Sequence, residues 1–286
     1  MTLTRAEVLG LLSEHDLRPS RALGQNFVVD PNTVRRIARM AEVSPEVPVI
    51  EIGAGLGSLT LALAEAGARV KAVEMDRRLV PILREVVASH RVEVVQADAM
   101  RLDWAELLGT APGEDERSGG APAEWSLVAN LPYNIATPLV MRVLHDAPTV
   151  TSMLVMVQRE VGERFAAGPG LRSYGAVSVK IAYQASATVV GRVPATVFVP
   201  RPKVESVLVR VRRLAVPAVS PELVGRDRLF EVVEAGFAHR RKMLRGSLAD
   251  VVDPRAFAAA GVAPEARAEE LSVQEWGRLA GWRADP

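Results

Sequence analysis

From Val47 onward, short and nearly continuous apolar runs alternate with segments whose apolar residues recur at helical spacing: VPVIEI, LTLALAEAG, ARVKAVE, LVPILREVVAS and VEVVQAD, then WSLVAN, PLVMRVLHD and VTSMLVMVQ. Strand and helix in alternation predict an α/β fold on a parallel sheet. The strand runs lack period-two alternation, as expected of strands covered by helices on both faces. Ligands of such sheets bind at the carboxyl ends of the strands. Upstream, Thr4 to Asp16 reads as a helix, and Asp30 followed by Pro31 signals the start of a second. The intervening RPSRALGQNFVVD reads as an ordered lid or arm. Between Leu108 and Trp125, TAPGEDERSGGAPAE is too poor in apolar residues to be buried and predicts a mobile surface loop. After Pro217 the strand signals stop, and helices are expected over 222–237, 240–249, 254–260 and 272–282. The expected division is an α/β domain with an N-terminal arm over 1–216 and a small all-helical domain over 217–286.

Composition narrows the chemistry. At 286 residues, 49% hydrophobic, the chain has room for a large core and a smaller one. No apolar stretch reaches the roughly 18 to 20 residues that span a bilayer, and no charged leader precedes an apolar run, so a soluble, cytoplasmic protein without membrane partners is expected. With no cysteine, a disulfide, a thiolate metal site, an iron–sulfur cluster and a cysteine nucleophile are excluded. No metal site is expected. The net charge of +1 hides a basic stretch, since residues 201–245 hold 11 Lys and Arg against 5 Asp and Glu. Within it Arg240, Arg241, Lys242 and Arg245 are candidates for contact with RNA phosphates, Arg241 and Arg245 being four apart and so on one face of a helix. Arg35, Arg36 and Arg39 are candidates to extend that surface. A solvated helix face would show the same charges.

The first motif is Glu51-Ile52-Gly53-Ala54-Gly55-Leu56-Gly57, leaving a strand and opening a helix. Gly53 and Gly55 would let backbone approach a ligand closely. The spacing is G-x-G-x-G, which differs from a pyrophosphate loop, although a dinucleotide site or a plain turn stays open on this motif alone. Glu74 ends the next strand, 21 residues beyond Gly53, where a carboxylate can accept from both ribose hydroxyls of NAD or S-adenosylmethionine. Asp98 ends the third and could accept from an adenine amino group. Either acid alone could cap a helix; three consecutive strand ends carrying glycine turn, Glu and Asp point to a nucleoside cofactor.

Asn130-Leu131-Pro132-Tyr133-Asn134 follows the next strand. Methylation of an adenine N6 is hard because its lone pair is delocalised into the ring. The Asn130 side-chain oxygen and the Leu131 carbonyl offer two acceptors for the N6 protons, Pro132 stiffens the backbone presenting them, and Tyr133 offers a face for an extruded base. Such chemistry requires no general base, and His15, His90, His145 and His239 read as structural or surface residues.

In combination and order, LGQNF, EIGAGLGSLT, AVEMD, QADAM, NLPYNIATPL, VQREV and VFVPRPKVES resemble the bacterial KsgA-type 16S rRNA adenine dimethyltransferases, from about Arg18 to the C-terminus. The resemblance implies a Rossmann-like S-adenosylmethionine-dependent methyltransferase domain followed by a small helical domain. It implies cofactor contacts from Asn26, Val28, Gly53, Glu74, Asp98 and Asn130, and adenine contacts from Asn130, Leu131, Tyr133 and Phe198, with Phe198 covering the second face of the target base. It implies 16S rRNA and the immature small ribosomal subunit as partners, and N6,N6-dimethylation of adjacent adenines in the 3′-terminal hairpin loop as the activity. Val28 stands where many relatives have Leu, and Glu205 where Asp is usual. The relatives that methylate 23S rRNA share the cofactor series and an N-x-P-Y motif; NLPYNIATPL with KVES favours the small-subunit branch. A nucleic-acid-binding assembly factor and a DNA adenine methylase are the other classes in contention.

Overall fold

The computed structural model describes residues 2–20, 23–45, 47–109 and 124–283. All but the last residue of the loop expected over 110–124 therefore lies outside the described residues. In chain order the elements are α1 (Arg5–Glu14), β1 (Phe27–Val28), α2 (Pro31–Met40), β2 (Val49–Ile52), α3 (Ser58–Glu65), β3 (Val70–Glu74), α4 (Leu79–Val86), β4 (Val92–Gln96), α5 (Trp104–Leu108), β5 (Trp125–Asn130), α6 (Ala136–Asp146) and β6 (Val150–Gln158). There follow α7 (Arg159–Phe165), α8 (Ala176–Gln184), β7 (Ala185–Val193), β8 (Phe198–Val199), β9 (Ser206–Arg213), α9 (Arg226–Ala238), α10 (Leu244–Ser247), α11 (Arg255–Ala260) and α12 (Val273–Gly281). Thr4 caps α1 reciprocally with Glu7, and Asp30 accepts from the Thr33 amide at 2.8 Å with Pro31 at the first helical position of α2.

The chain forms two compact units, residues 1–162 with 189–212, and residues 163–188 with 213–286. In the first, a seven-stranded sheet runs β4-β3-β2-β5-β6-β9-β7. Strands β4, β3, β2, β5 and β6 pair parallel, and β9 lies antiparallel to β6. The Rossmann-like expectation holds, and the order reverses between β2 and β5, the switch point at which such sheets open a crevice. Strand β2 is wholly buried, as are all residues of β5 except Ser126 and Asn130 and most of β6. Strand β4 is the exception to the expected two-sided cover. As the sheet's edge it pairs only with β3, and none of its residues is fully buried. Strands β7 and β9 were not foreseen. A separate two-stranded sheet pairs β1 antiparallel with β8, Phe27 opposite Val199 and Val28 opposite Phe198.

The second unit departs from the linear division at 216, because α8 belongs with the C-terminal helices. Tyr174, Val179 and Tyr183 join one apolar core with Leu229, Val232, Leu244, Phe257 and Trp276. The Tyr174 hydroxyl donates to the Leu271 carbonyl at 2.8 Å, and its ring meets Phe237 edge-on at 6.0 Å. The helix expected over 240–249 is also corrected. Residues 239–243 form a turn and bend, and α10 starts only at Leu244, so Arg241 and Arg245 do not share a helix face. Among the described residues no helix is long and apolar enough to cross a membrane.

Trp276 is fully buried, and a Cβ placed on Gly236 of α9 would lie 2.4 Å from its ring. The ring is hemmed in and cannot yield cheaply. Gly236→Ala should therefore destabilise the second unit by about 1–3 kcal/mol despite its gain in helix propensity. Denaturant unfolding followed by tryptophan fluorescence checks this, and an unchanged midpoint would show that the Trp276 ring can move aside.

Candidate functional site

The carboxyl ends of four adjacent strands supply the candidate residues: the Gly53–Gly55 turn after β2, Glu74 closing β3, Asp98 two residues beyond β4, and Asn130 closing β5. All line one cavity with Asn26, Val28, Leu131, Pro132 and Tyr133, its interior and mouth together occupying about 970 Å³.

Gly55 has φ +60°, a left-handed conformation, and a Cβ there would stand 3.1 Å from the Phe27 ring. Glycine thus serves both the turn and the close approach of the arm. Its amide donates to Glu74 Oε2 at 2.8 Å, while the Asp76 amide donates to Glu74 Oε1 at 2.8 Å. Burial raises the Glu74 carboxyl above its ordinary pKa, and these amides oppose the shift. Each carboxylate oxygen keeps a further lone pair for a ligand hydroxyl. Asp98 is half-exposed and accepts from the Met100 amide at 2.9 Å, so its own turn occupies part of its capacity.

Asn130 is oriented by the arm. Its Nδ2 donates to the Asn26 carbonyl at 3.0 Å, which leaves Oδ1 as its uncommitted acceptor. The Leu131 amide donates to the Met156 carbonyl of β6 at 3.0 Å, fixing the peptide that begins the NLPY turn. The Pro132 carbonyl then accepts from Ile135 and Ala136, turning the chain into α6. Tyr133 is half-buried on the cavity wall, with its hydroxyl 3.5 Å from Ser206 Oγ.

Phe198 is not brought to that wall. It is 2% exposed and joins Val28, Val34 and Leu208 in the apolar core under the β1–β8 pair. Tyr133 on the cavity wall therefore has no aromatic partner from β8. Burial of a phenyl ring favours this placement by about 2 kcal/mol. In the second unit, Arg240 pairs with Glu269 and Arg245 with Glu265, whereas Arg241 and Lys242 are exposed in the turn between α9 and α10.

Three residues at the site carried no role in the sequence reading. Gln25 accepts from the Ser20 amide at 2.7 Å and donates to Asp76 Oδ2 at 3.0 Å. Asp76 is held down to about 2, first by the Arg78 side chain, which meets it with Nε and Nη2. Glu51 lines the cavity at 2% exposure with Oε2 lacking a hydrogen-bond partner. Burial pushes its carboxyl up to about 8. The Thr60 hydroxyl, close but outside hydrogen-bond geometry, eases the shift, and the charge of Glu74 adds to it. An apolar run interrupted by one acid was the available signal.

The model of the family described as ribosomal RNA adenine dimethylase matches residues 17–285. The chain belongs to that family. Among curated relatives, the ribosomal RNA small subunit methyltransferase A of Thermobifida fusca (strain YX) is 45% identical over 292 residues, covering 98% of this chain and 96% of the relative. The protein of that name from Leifsonia xyli subsp. xyli is 46% identical over 286 residues, covering 96% of each. Among solved structures, the 23S rRNA methyltransferase ErmE is 28% identical with a TM-score of 0.68, over 89% of this chain and 98% of that one. A dimethyladenosine transferase from Plasmodium falciparum shares the fold, at 21% identity and a TM-score of 0.69 over 87% of this chain and 94% of that one.

The cofactor of this rRNA adenine dimethylase is S-adenosylmethionine, and the cavity suits it. Its wall is largely apolar with a few carboxylate and carbonyl acceptors set into it, and the orphaned Glu51 oxygen is a partner available to a polar or cationic group there. A carboxyl whose folded pKa lies above its unfolded one, about 8 against 4.5 for Glu51, stabilises the fold fully below 4.5 and ceases to do so as pH rises through 8. Between those values its contribution falls by about 1.4 kcal/mol per pH unit. Ligand-free protein should therefore lose thermal stability from pH 5 to pH 8, and Glu51→Gln should flatten that loss. Parallel slopes for the two proteins in calorimetric scans would show that Glu51 does not titrate in this window.

Proposed function

We propose that this enzyme dimethylates adjacent adenines in the 3′-terminal hairpin loop of 16S rRNA, on an immature small ribosomal subunit, using the residues that line the strand-end cavity. It is an S-adenosylmethionine-dependent rRNA adenine dimethyltransferase acting on small-subunit rRNA. The 45% identity to small-subunit methyltransferases, against 28% to the 23S enzyme ErmE, favours the small-subunit substrate. The observation that carries the catalytic reading is the Asn130–Asn26 hydrogen bond, because it commits the Asn130 amide group to the arm and leaves its oxygen for the substrate.

When bound, S-adenosylmethionine supplies a methyl group activated by sulfonium charge. On this reading Glu74 accepts from the cofactor ribose and Asp98 from its adenine amino group, while Asn26, Val28, Gly53 and Gly55 close around the rest. Asn130 Oδ1 and the Leu131 carbonyl accept the two N6 protons of the target adenine. Held by both, the amine is free to pyramidalise with its lone pair directed at the methyl carbon. Pro132 keeps the two acceptors rigid, and the Tyr133 ring carries the base. The N6 proton passes to water, so no side chain need remove it. Phe198 contributes a second face only through a rearrangement of β8 that exposes it. The exposed Arg241 and Lys242, with Arg240 and Arg245 beside them, hold RNA phosphates.

Asn130→Ala should cost about 10²–10³ in single-turnover methyl transfer to an immature small-subunit particle, by analogy with loss of one preorganised polar group from an active site. Tyr133→Ala should lose about 1–3 kcal/mol of stacking, and Tyr133→Phe should keep substantial activity. The long 3.5 Å contact of the Tyr133 hydroxyl with Ser206 supports the latter. Wild-type transfer by Asn130→Ala, or a Tyr133→Phe as inactive as Tyr133→Ala, would overturn this mechanism.

Because Arg241 and Lys242 are the residues of the turn not assigned to carboxylates, the double reversal Arg241→Glu with Lys242→Glu should weaken rRNA binding and flatten its salt dependence. The slope of log K against log salt should fall by about 0.7–0.9 for each phosphate that the protein no longer neutralises. Filter binding across a salt series measures it, and an unaltered slope would return the turn to a solvated surface.

A further inference from the structure

The loop that carries Asp98 is braced from another element. Arg142, in the middle of α6, donates through Nη1 to the Met100 carbonyl and through Nη2 to the Leu102 carbonyl, at 3.1 Å for the latter. Its Nε donates to Asp146 one turn along α6 at 2.9 Å. Met100 in turn donates its amide to Asp98 Oδ1 at 2.9 Å, and the Arg101 amide donates to the Asp98 carbonyl at 2.9 Å. A planar guanidinium with fixed donor directions thus holds two carbonyls of the five-residue turn 98–102, and that turn sets the direction of the Asp98 carboxylate. Lysine could not reproduce the fork. The other end of α6 grows out of the NLPY turn, so one short helix holds the backbone on both sides of the cavity.

We propose that Arg142 is a positioning residue for cofactor recognition, acting through Met100 and Leu102 to hold Asp98 where it reads the 6-amino group of the cofactor's adenine. The inference rests on the reading of Asp98 given above. It predicts more than a loss of stability: loosening the turn should remove selectivity for the amino group while sparing the rest of the cofactor.

Calorimetric binding of S-adenosylhomocysteine and of its analogue with unsubstituted purine in place of adenine tests this, on wild type, Asp98→Ala, Arg142→Met and Arg142→Lys. Wild type should prefer the adenine form about tenfold or more, as expected for one hydrogen bond to a charged acceptor. Asp98→Ala should abolish the preference, and Arg142→Met should reduce it to about twofold or less, the purine form binding nearly as in wild type. Arg142→Lys, which retains the charge beside Asp146, should fall between and serves if Arg142→Met fails to fold. A preference lost in Asp98→Ala but intact in the Arg142 variants would overturn the role of Arg142 and leave Asp98 standing. A preference intact in Asp98→Ala would overturn the reading of Asp98 and this inference with it. Equal losses for both ligands in the Arg142 variants would reduce Arg142 to a structural brace and also overturn the proposal.

Discussion

A carboxylate taken out of water must be repaid in hydrogen bonds, and at the end of β3 that constraint organises the whole site. Glu74 is nearly buried, and the amides of Gly55 and Asp76 both point at it. Desolvating an ion costs several kcal/mol, and hydrogen bonds to a charged acceptor return about 1.5–3 kcal/mol each. Satisfying Glu74 thus fixes the glycine turn after β2 and the turn into α4. The second of these presents Asp76 to Gln25, which fastens the arm, and the arm's next residue gives its carbonyl to Asn130. The arm also presses on the base side directly, since a Cβ on Gly24 would sit 3.1 Å from that of Pro132. Asn130, the side chain proposed to address the target base, is therefore held, through the arm, by the carboxylate proposed for the cofactor ribose.

That linkage explains which parts of the site were legible in the sequence. A parallel sheet carries the residues of its crevice immediately after its apolar runs, so the meeting of Gly53, Glu74, Asp98 and Asn130 on one cavity was legible from hydrophobic periodicity and residue type alone. The start signal at Asp30-Pro31 was equally local, and that helix begins where the sequence indicates. Contacts across long stretches of chain left no such trace. Gln25 meets Asp76 across 51 residues, and Arg142 meets the Asp98 turn across about 40. Strand β9 adds to the sheet from beyond residue 200, and α8 joins helices that follow it by 40 residues or more. The burial of Phe198 was hidden for a related reason, because it follows from the antiparallel pairing of its segment with the arm. The basic turn shows the limit of spacing arguments: residues four apart share a face only where the helix is continuous, and here α10 begins after Arg241.

Charge at the site follows the same logic. Glu51 and Glu74 are both raised by burial, with the charge of Glu74 opposing ionisation of Glu51 and that of Asp76 opposing ionisation of Glu74, so the cavity wall is poorer in negative charge than its acidic side chains suggest. A cofactor carrying positive charge relieves that repulsion on entering, whereas its neutral thioether product relieves less of it.

Dimethylation sets a further demand on the two acceptors. On the mechanism proposed above, an unmodified N6 amine offers its two protons to Asn130 Oδ1 and the Leu131 carbonyl. After one transfer a single N–H remains, and the methyl group must turn towards one acceptor, so that the donor side of the nitrogen is free for a second methyl donor while the other acceptor keeps its partner. After the second transfer no N–H is left, and both acceptors face methyl groups. An acceptor deprived of its donor in a site shielded from water costs about 1–3 kcal/mol. The arrangement therefore binds the substrate and the monomethyl intermediate through hydrogen bonds and binds the dimethyl product without them. Loss of the last N–H makes the finished base the weakest ligand of the series, so the same two groups that direct attack also set the point at which methylation stops.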